Sequence, residues 1–133
     1  MPLDERLRPP PSVRAQGSEL PFDLGATAKG LREEAHPVRD GHRQIGLLHQ
    51  EHIRLVLFAF DKGGRLPKHE APGLVTIQVL SGRLRVSTPK TTHHLGTGHL
   101  LVLERDVAHG IEALDQSDVL LTVHLDGERS GAP

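Results

Sequence analysis

Short apolar runs separated by turn residues fill this chain from residue 41 to residue 125, and this pattern restricts the folds available to it. The runs recur at roughly eight to twelve residues, a spacing typical of an all-β sandwich or barrel. No helix-length amphipathic segment interrupts them. We therefore predict an all-β barrel over residues 41–125, with strands at 45–48, 53–60, 74–80, 83–88, 91–95, 99–103, 107–114 and 119–125.

The two ends of the chain differ from this region. Residues 1–21 combine five prolines with scattered charges, so they bury too little apolar surface to offset the entropy of ordering. We predict a flexible arm there, and a flexible tail over the small, polar residues 126–133. Between arm and barrel, Phe22, Ala26 and Leu31 fall at helical spacing, which predicts a helical lead-in over residues 22–40.

Composition argues against several classes of partner. A length of 133 residues suits one domain, and a formal net charge of -1 provides no basic field for a phosphate backbone. The longest apolar run, residues 55–60, is far shorter than the about 20 residues of a membrane-spanning helix. The first residues lack the basic-then-apolar pattern of a signal peptide. We expect a soluble, cytoplasmic protein that binds neither nucleic acid nor membrane.

A turn at Ser81 and Gly82 predicts how two of the strands pair. A two-residue turn would join residues 74–80 and 83–88 in one hairpin, in which Val79 faces Leu84. Because successive side chains point to opposite faces of a strand, alternate apolar residues share one face. We predict that this face lines an apolar pocket inside the barrel, formed by Val75, Ile77, Val79, Leu84 and Val86.

Two segments space glycine and histidine as the cupin family does. Residues 63–82 place Gly63, His69 and Gly82 as in the first cupin motif, G-x5-H-x-H-x3-E-x6-G. Residues 98–113 place Gly98 and His109 as in the second motif, G-x5-P-x-G-x2-H-x3-N. Residues 22–125 thus resemble a small single-domain bacterial cupin of the RmlC-like superfamily. The resemblance implies a jelly-roll barrel, or double-stranded β-helix, preceded by a short helix.

The resemblance also implies a metal site, from which this chain departs. Metal-binding cupins take two histidines and a glutamate from the first motif and one histidine from the second. Those places hold His69, Ala71, Val75 and His109 here. Because a catalytic metal usually has three protein ligands, the resemblance implies a degenerate site, in which His69 and His109 bind a divalent transition metal weakly or not at all. The alternative is that these two histidines hydrogen-bond a ligand, water or backbone.

Other polar side chains are candidates for lesser roles. Glu112 lies near the asparagine position of the second motif and is a candidate for orienting a pocket group, but an exposed position on its strand is the favoured interpretation. Strand alternation points His124 outward or into a subunit contact, and His99 is predicted to be a structural histidine within its strand. Positions next to turns predict solvated surface for His49, His52, His93 and His94.

The cupin fold hosts many functions, so the sequence leaves three hypotheses. The first is a binding module that holds a small organic ligand in the apolar pocket, with His69 and His109 at its polar end. The second is a metal-dependent dioxygenase or isomerase of a small organic molecule, which uses both histidines and a third ligand. The third is an interaction domain whose arm docks on a partner. The sequence assigns no catalytic residue. By resemblance, and because two-fold dimers are the commonest oligomers, we expect a homodimer.

Overall fold

Two antiparallel β-sheets and a short helix make up the part of the chain that this computed structural model describes, residues 17–34, 38 and 40–125. The elements are α1 (Leu24–Glu33), β1 (His42–Gln50), β2 (Ile53–Phe60), β3 (Arg65–His69), β4 (Leu74–Ser81), β5 (Arg83–Ser87), β6 (Thr92–Gly96), β7 (Leu100–Leu103), β8 (His109–Ala113) and β9 (Ser117–His124). The predicted all-β class and the short helix are confirmed. Most of the predicted arm, and the predicted tail, lie outside the described residues. No helix among the described residues is long and apolar enough to span a membrane.

The main apolar core lies between the two sheets. The five-stranded sheet has the order β1-β2-β9-β4-β7, and the four-stranded sheet has the order β3-β8-β5-β6. Strand alternation gives each sheet an apolar face, and the two apolar faces pack against each other. The buried members of this core are Phe58, Phe60, Val75, Ile77, Val79, Leu84, Val86, Leu95, Leu103, Ile111, Ala113, Val119 and Leu121.

Strand β2 is buried on both faces, which explains its unbroken apolar run. Phe58 and Phe60 point into the main core. Leu57 and Ala59 alternate with them and point to the outer face of the five-stranded sheet, where Leu31 of α1 joins them in a second apolar cluster. The helix therefore covers part of the outer face of this sheet.

The hairpin predicted at Ser81 and Gly82 is wrong. β4 pairs with β7 and β9 in one sheet, whereas β5 pairs with β6 and β8 in the other. The chain crosses between the sheets at Gly82, whose φ is 105°. Its backbone N donates a hydrogen bond to Thr97 Oγ1 over 3.0 Å, and a Cβ there would lie 2.2 Å from Ser117 Oγ. The turn residues mark a corner between sheets, where glycine alone fits without displacing its neighbours.

The direction of the side chains within β4 and β5 is nevertheless as predicted. The five residues expected to share the inner face are each at most 2% exposed and belong to the main core: Val75, Ile77, Val79, Leu84 and Val86. Their role as the wall of a ligand pocket stays a prediction.

Strand β3 is absent from the predicted strands. Its sequence is mostly polar and contains Pro67, which removes one backbone donor. β3 lies at the edge of the four-stranded sheet, and its pairing with β8 shifts register between Leu66 and His69. A sheet tolerates proline at an edge strand or a bulge, and β3 has both features. Because its sequence is also mostly polar, the apolar pattern of the sequence does not identify it as a strand.

Candidate functional site

The two motif histidines lie side by side at one end of the barrel. β3 ends at His69, β8 begins at His109, and the two residues are opposite each other in the antiparallel pair. Residues 70–73 lead from β3 into β4, and residues 104–108 lead from β7 into β8, so Val75 and its pairing partner Leu103 lie at the same end. We call this end the mouth and define it by His69, Val75, Leu103 and His109.

Hydrogen bonds join the two loops of the mouth. The backbone N of Asp106 donates to the Ala71 carbonyl over 3.3 Å, and Arg105 Nη2 donates to the Pro72 carbonyl over 2.7 Å. Asp106 stands at the glycine position of the second motif and has a φ of 67°, a conformation that aspartate tolerates better than most residues. The aspartate therefore preserves the turn that leads into β8.

The imidazoles of His69 and His109 lie beside each other, and in both rings the Nδ1 atom is next to a backbone carbonyl. Their ring centroids are 4.6 Å apart and their planes are inclined by 55°. Nδ1 of His109 lies 3.0 Å from the Val107 carbonyl, and Nδ1 of His69 lies 3.1 Å from the Pro67 carbonyl. A carbonyl oxygen can only accept, so both Nδ1 atoms carry the hydrogen. Both Nε2 atoms are then left as acceptors in the neutral rings.

Burial keeps His109 neutral. The residue is 1% exposed, and its Nε2 is buried with no hydrogen-bond partner among the described residues. Burial lowers the pKa of His109 below the ordinary histidine value; the Val107 carbonyl opposes this shift, and the charge of a protonated His69 adds to it. His69 itself is exposed. The pair therefore consists of a buried acceptor and an accessible one.

This lowered pKa predicts an acid-sensitive fold. Unfolded histidine titrates near about 6.5, and folded His109 titrates lower. Between the two values the unfolded chain binds more protons, so the contribution of His109 to the free energy of unfolding falls as the pH drops through this window. Urea unfolding of wild type and His109→Gln at several pH values from 7 to 5 should show a steeper acid loss in wild type. Equal slopes would contradict the buried, neutral state of His109.

Three basic residues that the sequence interpretation missed also point to the barrel interior. His42 is buried, opposite Phe60, with its ring against the Phe58 and Phe60 rings. Arg54 is opposite Val123 in the β2–β9 pair, and Val123 is opposite Val75, so Arg54 shares the inner face at the mouth. His93 is half-buried and opposite Val86, so the prediction that it is solvated surface is wrong. Its alternation with the buried Leu95, two residues later, is the sequence signal that could have identified its direction.

The other candidate residues lie away from the mouth interior. Glu112 is exposed on the outer face, with its Oε1 3.2 Å from Arg85 Nη2, so the favoured exposed position is confirmed and Glu112 does not orient a pocket group. His99 is exposed and precedes β7, so its predicted place within a strand is wrong. Its Nδ1 accepts a hydrogen bond from the Gly96 backbone N over 2.9 Å, which agrees with a structural role. The predicted outward or surface positions of the remaining histidines are confirmed by their exposure: His49, His52, His94 and His124.

The mouth does not provide three metal ligands. Val75, at the glutamate position of the first motif, is 2% exposed and packs in the main core, while Ala71 packs against that core. Within residues 17–34, 38 and 40–125, no group of three histidine or carboxylate side chains is arranged to hold a metal ion. Two neutral imidazoles alone do not fit the three-ligand set of a catalytic metal.

A shallow cavity of about 180 Å³ lies far from the mouth. β5 ends at Ser87, opposite Gly110 and thus beside His109, whereas the cavity is at the other end of this strand. It is lined by Arg83, Leu84, His94, Leu95, Gly96 and Leu114. The cavity shares no residue with the histidine pair.

No protein-family model and no curated protein matches this sequence, but its structure resembles solved structures. A cupin superfamily protein from Desulfitobacterium hafniense matches with a TM-score of 0.66 over 84% of this chain and 96% of the other, at 17% identity. An RmlC-like cupin from Shewanella frigidimarina matches with a TM-score of 0.62 over 71% of this chain and 85% of the other, at 19% identity. This chain has the cupin fold.

The cupin fold is also shared with an enzyme. Salicylate 1,2-dioxygenase from Pseudoaminobacter salicylatoxidans matches with a TM-score of 0.68 over 77% of this chain and 32% of its own, at 19% identity. Similarity at this identity demonstrates the cupin fold and does not transfer an activity. The fold by itself therefore assigns no function to this chain.

Proposed function

We propose that this cupin barrel binds a small organic molecule at its mouth, with His69 and His109 as the polar end of the site. The observation that carries the proposal is the Nε2 atom of His109, which is buried and has no hydrogen-bond partner among the described residues. A buried polar atom without a partner costs about 1–3 kcal/mol, and a ligand that donates a hydrogen bond to it recovers that cost.

The protonation state of the pair defines what the ligand must offer. Both Nδ1 atoms donate to backbone carbonyls, so a neutral ring presents Nε2 as an acceptor. The ligand must therefore carry a hydroxyl or N–H donor. Its apolar part would lie at the mouth end of the predicted wall, next to Val75.

A matched pair of ligands tests this proposal. Phenol and anisole have the same ring, but phenol donates a hydrogen bond and anisole does not. Titration calorimetry should show that the full chain binds phenol about fivefold more tightly than anisole, the size expected for one neutral hydrogen bond. His109→Phe should abolish this difference, whereas His124→Phe, at an exposed histidine, should retain it. Equal binding of the two ligands by wild type, or no binding of either, would contradict the proposal.

The second candidate function is a metal-dependent dioxygenase or isomerase that uses His69 and His109. One observation favours it, because ligating histidines commonly donate Nδ1–H to a backbone carbonyl, as both do here. The fold is compatible with such an activity, since salicylate 1,2-dioxygenase contains it. Among the described residues, no third metal ligand joins His69 and His109, and this favours the binding function over the enzyme.

Metal content separates the two candidates. Tag-free, chelator-washed protein should contain well under one equivalent of transition metal by elemental analysis, and this amount should not change in His69→Ala or His109→Ala. Surface histidines account for residual metal in that case. Near-stoichiometric metal that disappears in both variants would instead support the enzyme and overturn the binding proposal.

We also propose that the protein acts as a cytoplasmic homodimer. Leu100 and Val102 on the edge strand β7 are 59% and 49% exposed, and they lie on the outer face of the five-stranded sheet, opposite Gln78 and Thr76 of β4. Uncharged apolar side chains on an edge strand favour contact with another sheet. Light scattering should give a dimer for wild type, a monomer for Leu100→Lys/Val102→Lys, and a dimer for the control Ser87→Lys. A monomeric wild type would contradict the dimer.

A further inference from the structure

The titratable side chains that point into the barrel are all basic. On the four-stranded sheet they are His69, His93 and His109. On the five-stranded sheet they are Arg54 at the mouth and His42, which packs against the Phe58 and Phe60 rings. No aspartate or glutamate of the described strands occupies an inner-face position, since Glu112 and Asp118 both point outward to arginine partners. An interior with an arginine and no carboxylate favours an anion over a cation.

The acidic residues near the mouth lie on its loops. Glu70, Glu104 and Asp106 are in the connecting segments, as is Arg105, and all four are at positions that water reaches. Lys68, near the end of β3, is exposed as well. Water and salt screen exposed charges of this kind more strongly than charges inside the barrel. Arg54 is half-buried, so its charge is screened less than the charges of the exposed loop carboxylates.

Hydrogen bonds to backbone carbonyls fix the position of the Arg54 guanidinium. Its Nη1 donates to the Ile53 carbonyl over 3.2 Å and also to the Gln50 carbonyl in the turn between β1 and β2. Within the described part of the chain, no carboxylate forms an ion pair with Arg54. The guanidinium is always charged, and two bonds through one nitrogen leave its other donors available for a bidentate contact.

We propose that the ligand of the mouth is a small hydroxycarboxylic acid, whose carboxylate binds Arg54 and whose hydroxyl donates to Nε2 of His109. This inference rests on the proposed function and adds the chemical class of the ligand. The two residues lie at the mouth on facing sheets, which pack roughly 10 Å apart, and in this proposal the ligand lies across the mouth between their side chains. Arg54 determines the preference for an acid, and His109 determines the need for a hydroxyl.

Matched acids and amides test the role of Arg54. The probes are lactate with lactamide, and 4-hydroxybenzoate with 4-hydroxybenzamide, so each pair keeps the hydroxyl and exchanges the carboxylate for a neutral group. Titration calorimetry on the full chain at pH 7 should show at least one acid binding about tenfold more tightly than its amide, as a charge-assisted hydrogen bond predicts. Arg54→Gln should reduce this ratio to about one, and Arg54→Lys should retain most of it.

Two controls keep the inference separate from the proposed function. Arg65→Gln removes an exposed arginine from the outer face of the four-stranded sheet and should leave the acid preference unchanged. His109→Gln should weaken the acid and the amide alike. Binding that depends on His109 but shows no acid preference would overturn the assignment of the ligand as a hydroxycarboxylic acid, and so would an acid preference that survives Arg54→Gln. Either result would leave the proposed binding function standing. Failure of every probe to bind would overturn both.

Discussion

Replacing Gly73 by alanine is expected to lower the free energy of unfolding by about 3 kcal/mol or more. Gly73 is the last residue of the loop between β3 and β4. A Cβ at this position would lie 1.8 Å from the His124 carbonyl oxygen and 2.8 Å from its carbon. These are backbone atoms at the end of β9, so the clash cannot be relieved by a side-chain rotation. Either the loop or the strand end must move, and urea unfolding measures the cost.

Gly96→Ala is the matched control for this prediction. Gly96 lies in β6, and apart from its two chain neighbours none of the described residues comes within 4 Å of the position of its Cβ. Alanine there also restricts the unfolded chain, so the expected change is within about 0.5 kcal/mol of zero. Equal loss of stability in the two variants would show that the close approach of the loop to β9 does not exclude a side chain at position 73.

Phe60→Ala is expected to cost about 3–5 kcal/mol, the range for removing a buried phenylalanine side chain. Phe60 is 0% exposed, and its ring lies 5.6 Å from the Phe58 ring and 5.5 Å from the His42 ring. These distances allow favourable aromatic contacts in addition to apolar burial. The cavity left by alanine would remove contacts with both rings at once.

Phe22→Ala supplies the control, because it deletes the same side chain at a position that is 39% exposed. Its loss of stability should stay below about 1 kcal/mol. Chemical denaturation of both variants measures the difference between them. A loss at Phe22 as large as the loss at Phe60 would contradict the placement of the core between the two sheets.

The fold could be predicted from the sequence because strand alternation is a local property. The inner positions of β4 and β5 follow from a period of two along the chain, and this holds whichever strands they pair with. Pairing depends on contacts distant in sequence. The residues at Gly82 fit a two-residue turn equally well, and only the presence of Ser117 and Thr97 shows that the chain turns a corner there.

The candidate site could be predicted in part. The cupin motifs identified His69 and His109, and the structure places them opposite each other in adjacent strands. The bonds from their Nδ1 atoms to the Pro67 and Val107 carbonyls depend on local backbone geometry that residue spacing does not encode. These bonds, together with burial, decide which nitrogen faces a ligand.

Arg54 could not be found from either motif. It lies in β2, outside both motif segments, and its inward direction follows from pairing with Val123, which is distant in sequence. A lone arginine beside a turn otherwise indicates solvated surface. Its assignment to the mouth required the register of the five-stranded sheet.

The measurement that tests the central claim most directly is a nitrogen-detected NMR titration of the histidine rings in the labelled full chain. We predict that Nδ1 carries the hydrogen in His69 and His109, that His109 remains neutral below the ordinary histidine pKa of about 6.5, and that phenol shifts the Nε2 signal of His109 but not that of His124. A hydrogen on Nε2 of His109, or an Nε2 signal that bound phenol leaves unchanged, would contradict the assignment of this atom as the open acceptor of the site.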